Sequence, residues 1–240
     1  MTRWVPQMAS IKTMASLLLR VLVILSILVL AGCNGPLSTL DPSGPRAARV
    51  AMLWWAMFWS SVALFGLMMA LLALVWVRPG FGSKLAPSKW IIYGGLVMPG
   101  ILLPVLVGYA LYTGNRLLPH ALETAPARIN AQGVMWQWQF SYPEVGDLGS
   151  TGVLHIPAGK PVDIVVTSGD VIHSFWVPRL TGKIDAIPGR ENIIRIQADR
   201  PGSYQGVCAE FCGRGHTEMR FQVRAHAPEE YESAVLEAAE

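Results

Sequence analysis

Of 240 residues, 52% are hydrophobic and only 15% charged, a composition too apolar for an ordinary water-soluble protein. The formal charge of +3 is unevenly spread, with nine Lys and Arg against one acidic residue up to His120 (+8) and ten against fifteen beyond it (−5). The acidic second half suits a basic partner, and nothing in the pattern suggests nucleic acid.

In residues 1–32, Arg3, Lys12 and Arg20 precede an apolar run of about a dozen residues, which fits a signal peptide better than a full span of about 20. Leu30-Ala31-Gly32-Cys33 resembles a bacterial lipobox, so Cys33 is expected to be lipidated and to become the mature N-terminus. That would explain an odd number of cysteines, three in all; the alternative is an uncleaved helix from Met14 to Leu30 with an incidental thiol. Residues 33–49, rich in Pro, Gly and small side chains, read as a periplasmic linker.

A two-helix transmembrane hairpin is expected over 50–120. Val50 to Val77 holds no charge and is long enough to cross a hydrocarbon core of about 30 Å, and Trp90 to Thr113 is a second span carrying Pro99 and Pro104. The loop between them contains Arg78, Lys84 and Lys89 and no acid, which places it in the cytoplasm and both outer ends on the other side. Arg46, Arg49 and Arg116 near those outer ends weaken this charge signal.

Residues 121–240 change to short β-type runs bounded by Gly and Pro. Arg128–Phe140, Gly152–Ile156, Val162–Thr167, Val171–Val177, Asn192–Ala198, Gly202–Val207 and Met219–Ala225 are seven predicted strands, which argue for an antiparallel β-sandwich. Pro228 to Ala239 reads as a terminal helix.

Chemistry concentrates in Cys208-Ala209-Glu210-Phe211-Cys212-Gly213-Arg214-Gly215-His216-Thr217-Glu218-Met219, with His173 upstream in Asp170-Val171-Ile172-His173. Thiolate, imidazole and thioether form a soft donor set that selects copper or an iron–sulfur centre. One Cys, two His and a weak Met describe a mononuclear blue-copper site, whereas a second Cys four residues on lets both thiolates bridge two ions. A Cys208–Cys212 disulfide and a zinc site are the bland alternatives, although zinc has no use for Met219. His120, His155 and His226 lack thiol neighbours and read as ordinary surface or boundary histidines. Trp136 and Trp138, two apart, could simply share a core face.

The spacing of Cys208, Glu210, Cys212, His216 and Met219 resembles, position by position, the binuclear copper-A motif. The segments around His173, Gly182–Arg190 and Trp136–Pro143 are similar to their counterparts in subunit II of haem–copper oxidases of the cytochrome c oxidase type, and the likeness runs from residue 33 to about 228. The resemblance implies a two-helix transmembrane hairpin followed by a cupredoxin-like Greek-key β-sandwich in the bacterial inner membrane, with the mature N-terminus and the copper domain periplasmic. It implies that Cys208 and Cys212 bridge two coppers, that His173 and His216 bind one each, that Met219 is a weak ligand and that Glu210 offers its backbone carbonyl. It further implies a magnesium ion shared with the catalytic subunit through Glu210, arrival of electrons from cytochrome c at Trp136, and a catalytic haem–copper subunit I and a subunit III as partners. Asp147 and Asp170 are expected to dock the basic donor, with Glu144, Asp163 and Asp185 as further acidic candidates.

No Cys-x-x-Cys-His occurs, so no covalent haem c is expected on this chain. The pattern departs from the family at Ile92, seven residues before Pro99, where a carboxylate usually marks a proton channel; no proton-uptake acid is expected from this subunit. Quinol oxidases share the two-helix plan but lack the copper ligands, and nitrous oxide reductase requires a further large domain. A copper-A nitric oxide reductase subunit and a membrane-tethered copper carrier remain the competing readings.

Overall fold

The computed structural model describes residues 16–25, 32, 34–120 and 126–238. Cys33 and its proposed lipidation lie outside the described residues, as does most of the leader, of which Ser16–Leu25 is helical.

Helix α1 (Pro45–Val77) starts on a proline, which tolerates the first turn because its missing N–H would be unpaired there anyway. At ~1.5 Å per residue its 33 residues extend about 50 Å, well beyond a bilayer core, so its first turns reach into the head and bury Ala47 and Ala51. Helix α2 (Pro87–Asn115) is also long and apolar enough to cross a membrane, the two having mean hydropathies of 2.3 and 2.1. Its stretch Ile91–Val97 is π-helical, with the Met98 amide reaching back to the Tyr93 carbonyl. The widened turn stands directly before Pro99, whose ring would collide with a carbonyl four residues back in a regular α-helix. Ile92 is exposed on this stretch, and α2 contains no carboxylate.

Two five-stranded sheets follow. The first has the order β3-β2-β1-β5-β8 and the second β4-β10-β9-β6-β7, from β1 (Ala127–Val134), β2 (Gln137–Tyr142), β3 (Leu148–Thr151), β4 (Val153–Pro157), β5 (Val162–Ser168), β6 (His173–Trp176), β7 (Lys183–Ala186), β8 (Asn192–Ile196), β9 (Gly202–Cys208) and β10 (Arg220–His226). The expected single run Arg128–Phe140 is a hairpin broken at Met135–Trp136, and β3 and β7 add two short strands to the expected set. The sandwich is mixed rather than antiparallel, because β1 pairs parallel with β5 and β4 parallel with β10. Alternation along β2 sends Trp138, Phe140 and Tyr142 into the core while Gln137 and Gln139 face out. Trp138, Phe175 and Phe221 meet with ring centroids 4.9 to 5.6 Å apart, and Trp138 packs beside His173 at 6.2 Å. Helix α3 (Tyr231–Ala238) buries Val235 against the sandwich.

The head is fastened to the spans at several points. Ahead of α1, the Ser43 amide donates to the Arg179 carbonyl (2.7 Å), the Asp199 amide to Ser43 (2.9 Å), and Asp41 pairs with Arg179 at 2.8 Å. Gly44 passes so close to Gln197 that a Cβ would strike its carbonyl oxygen. At the exit of α2, buried Arg195 grips Asp163 with two bonds of 2.6 and 2.8 Å and donates to the His120 carbonyl at 2.7 Å. Arg46 bonds the Leu117 carbonyl and Arg49 that of Arg116, so these arginines of α1 cap the end of α2.

Candidate metal centre

The ligand loop hangs between two neighbouring strands. β9 delivers Cys208 at its end, β10 resumes at Arg220, and the Cys208 amide bonds the Met219 carbonyl at 2.9 Å to close the loop at its base. β6 lies beside β9 and starts at His173, with Ala209 N donating to Ser174 O at 2.9 Å, so the upstream imidazole reaches the same point. A short 3₁₀ turn, His216–Glu218, carries the second imidazole back over the thiols.

The separations are those of side chains converging on one locus. Cys208 Sγ lies 3.8 Å from His173 Nδ1 and 3.8 Å from Cys212 Sγ; Cys212 Sγ lies 3.6 Å from His216 Nδ1 and 3.7 Å from Met219 Sδ. The Glu210 carbonyl oxygen faces Cys208 Sγ at 3.2 Å. His173, Cys208 and Cys212 place their donor atoms within 4.8 Å of one another and all three are buried, as is Met219. The thiols are free, and 3.8 Å between sulfurs is far beyond a disulfide bond of about 2.05 Å. Metal–thiolate bonds of about 2.3 Å fit that gap with one ion touching both sulfurs. The donor set therefore fits copper, and Met219 has a role in it that zinc would not give it. Burial, with the neighbouring Cys208 thiol, pushes the Cys212 thiol up to about 11, so a bound cation must displace the proton.

Asp170 sits directly behind the site. Its carboxylate accepts from His173 Nε2 at 2.7 Å and from the amides of Met135 and Val171, both at 2.6 Å. Burial works against its charge, yet these donors hold the carboxyl below the ordinary carboxylate range. The bond at Nε2 fixes the ring so that Nδ1 faces Cys208, an orienting role that sequence alone did not suggest.

Trp136 and Trp138 do not share a face. Trp138 is fully buried, whereas Trp136 stands above the loop, 43% exposed, and donates from Nε1 to the Cys212 carbonyl at 3.2 Å. Its ring lies flat over the loop glycines: a Cβ on Gly215 would come within 2.5 Å of it, and Gly213 adopts φ +114, a region that favours glycine. Met135, Val171, Ile172 and Phe211 are exposed on the same segments and form an apolar rim for which the sequence carries no signal, since exposure of single apolar residues is not visible in composition.

The structure brings Trp136, Asp170, His173, Cys208, Glu210, Cys212, His216 and Met219 together. Asp147 is not among them, because it lies in the turn at the far end of β2, about 20 Å along the strand from Trp136. Asp163 is buried against Arg195, so it is not part of an acidic surface. His155 and His226 form a pair of their own, with His155 Nδ1 2.9 Å from His226 Nε2. The Glu210 carboxylate points outward to Lys183 at 3.6 Å.

Two helices long and apolar enough to cross a membrane thus precede a cupredoxin-like sandwich that gathers a soft donor set. The family model for the periplasmic domain of cytochrome c oxidase subunit II matches residues 148–226. Quinol oxidase subunit 2 of Bacillus cereus is 30% identical over 225 residues, covering 88% of this chain and 76% of that one. Cytochrome c oxidase subunit 2 of Synechocystis is 43% identical over 110 residues, and that alignment spans 46% of this chain but only about a third (32%) of the relative's length. The crystal structure of the periplasmic domain of cytochrome oxidase subunit II from Bradyrhizobium japonicum is 32% identical, covers 49% of this chain and 96% of its own, and superposes with a TM-score of 0.47. The chain belongs to the subunit II family of haem–copper terminal oxidases.

Proposed function

We propose that this chain is the electron-accepting subunit of a terminal respiratory oxidase. The observation that carries the reading is the convergence of two free thiols, two imidazole Nδ1 atoms and a thioether on one buried locus. Cys208 and Cys212 would bridge a binuclear copper-A centre, His173 and His216 would bind one copper each, and Met219 and the Glu210 carbonyl would complete the set. Copper held there would supply one-electron transfer, and the rigid placement of these donors would keep rearrangement of the chain on reduction small.

The chain's own residues prepare that event. Asp170 locks the His173 ring, Trp138, Phe175 and Phe221 keep the sulfur side dry, and the two interstrand hydrogen bonds fix the loop before any ion arrives. Trp136 offers an exposed aromatic surface joined by one hydrogen bond to a ligand's backbone, which supports it as the point where electrons arrive. The rim of Met135, Val171, Ile172 and Phe211 supplies a dry contact for the donor, and the acidic second half favours a basic one such as cytochrome c. Asp170 contributes to that surface only through its partly exposed edge, and Asp147 only at a distance.

Electrons would leave for the haem of a catalytic subunit I beside the two spans, where dioxygen is reduced to water with proton translocation, and a subunit III completes the complex. The exposed Glu210 carboxylate suits a magnesium ion completed by ligands from that subunit. The basic loop after α1 faces the cytoplasm and the sandwich the periplasm, with residues 1–32 a cleaved leader and Cys33 lipidated. With Ile92 in place of an acid, proton uptake would rely on the catalytic subunit.

Similarity to quinol oxidase subunits over 88% of this chain favours a second reading, in which a membrane quinol is the donor. Buried ligands speak against a copper carrier, which needs exchangeable ones. Stopped-flow mixing of the purified oxidase with reduced cytochrome c or with a quinol separates the two. Rapid bleaching of the copper absorption by cytochrome c, slowed by salt, supports the proposal; reduction by quinol alone overturns it.

A further inference from the structure

The outer end of the helical hairpin carries an arrangement that the metal centre does not use. Arg49 of α1 and Arg116, just past α2, meet Met52, Tyr109, Tyr112 and Thr113 around a recess of about 210 Å³. Arg49 Nη1 donates to the Arg116 carbonyl at 2.8 Å, Arg116 Nη2 donates to Tyr112 Oη at 3.1 Å, and the Arg116 guanidinium lies 5.2 Å from the Tyr112 ring centroid. Each guanidinium has five N–H donors, so most of those facing the recess remain uncommitted to the protein.

Charge here is one-sided. Among the described residues no carboxylate pairs with Arg46, Arg49 or Arg116; Asp41 and Asp163, the described acids near these connections, are taken by Arg179 and Arg195. Glu123 lies outside the described residues. Capping of α2 accounts for Arg46 and for one bond of Arg49, but the Arg116 side chain caps nothing: its guanidinium meets only the hydroxyl and ring of Tyr112. Basic residues at this end also run against the charge asymmetry set by the loop of Arg78, Lys84 and Lys89, so topology gives no reason for them.

We propose that this recess binds the phosphodiester headgroup of an anionic glycerophospholipid in the leaflet on the side of the sandwich. Arg49 and Arg116 hold the phosphate oxygens, since planar guanidinium forks match that geometry. Tyr109 and Tyr112 stand at the level where aromatic side chains flank headgroups, and Met52 with the apolar helix faces below accepts the first acyl segment. A free phosphate would meet the same two arginines but has no use for the apolar floor. The site lies where α1, α2 and the head are tied together, so an occupied recess would brace the hairpin against the sandwich.

The test is native mass spectrometry of the complete oxidase equilibrated in equal amounts of phosphatidylglycerol and phosphatidylcholine. Wild-type complex should retain phosphatidylglycerol preferentially, and Arg116→Gln should lower that preference about fivefold, the effect of one interfacial charge. Because Arg116 holds only Tyr112, this variant leaves assembly and the copper absorption intact; Arg49→Gln should lower the preference further, and Arg116→Lys should restore part of it. Equal retention of both lipids by the wild type, or unchanged retention in Arg116→Gln, overturns the proposal. So does displacement of the lipid by inorganic phosphate, which would mark a free-anion site, or capture of the catalytic subunit instead of lipid by a photo-crosslinker placed at Tyr112.

Discussion

Gly215→Ala isolates how Trp136 is seated on the ligand loop. Gly215 has φ −88 and ψ 11, the conformation of the third residue of a type I turn, which alanine can adopt because φ is negative, so the main effect of the substitution is the added methyl. Its Cβ would come within 2.5 Å of Trp136 Cδ2 and 2.6 Å of Cγ, and ring atoms fused in an indole cannot give way individually. The whole side chain must tilt, which breaks the 3.2 Å bond from Nε1 to the Cys212 carbonyl. Overpacking costs about 1–3 kcal/mol and the lost hydrogen bond about 1 kcal/mol, so a total of roughly 2–4 kcal/mol is expected. The assay is a double-mutant cycle: denaturant unfolding of the copper-loaded full chain as wild type, Gly215→Ala, Trp136→Ala and the double variant. The two substitutions should couple by more than about 1 kcal/mol, because alanine at 136 removes the ring that the new methyl strikes. Reduction by the electron donor should slow in Gly215→Ala while copper content stays constant. Additive effects would refute the contact, and an unchanged reduction rate would refute Trp136 as the point of arrival.

Further outcomes follow from the same geometry. Asp170→Asn keeps an acceptor for one amide but loses the charge that orients His173, so copper affinity in chelator competition should fall about 10–100-fold; full affinity would show the ring is held otherwise. Arg195→Met leaves Asp163 buried without its partner and frees the His120 carbonyl, and should cost about 3–5 kcal/mol in unfolding experiments; a neutral result would show that water replaces the guanidinium. Burial, with His226 and Arg224 nearby, lowers His155 to about 4. A folded value below the unfolded one means that the neutral ring's stability is full above about pH 6.5 and drains away as the pH falls towards 4. Acid titration of unfolding should show a loss of roughly 2 kcal/mol over that window, screened by solvent at the partly exposed His226, and His155→Gln should flatten it.

The clustering of soft donors was legible because they are contiguous: Cys208 to Met219 is one loop, and only His173 had to be brought from elsewhere. The two spans were equally plain, since length and lack of charge are local properties. Strand pairing is not local. Nothing in the composition of β1 or β4 says that each will lie parallel to a distant strand, and β3 and β7, four residues each, are too short for a period-2 pattern to rise above the turns around them. The Trp136/Trp138 spacing is compatible with a shared core face only if one strand runs through both; the break at Met135–Trp136 puts one ring in the core and the other on the loop. Asp170 reads in the sequence as a surface charge, and in the structure its carboxylate also holds the His173 ring, which only its three donors could reveal. Arg46 and Arg49, a weakness in the charge signal, are caps for the second helix.

The proposed centre comprises two coppers held by Cys208, Cys212, His173, His216 and Met219. Metal analysis combined with electron paramagnetic resonance of the full-length chain tests it most directly. Two coppers per chain with one unpaired electron shared equally between them is the predicted result, lost on Cys212→Ser. A single copper with its electron localised on one metal, or a stoichiometric zinc ion in its place, would contradict the account.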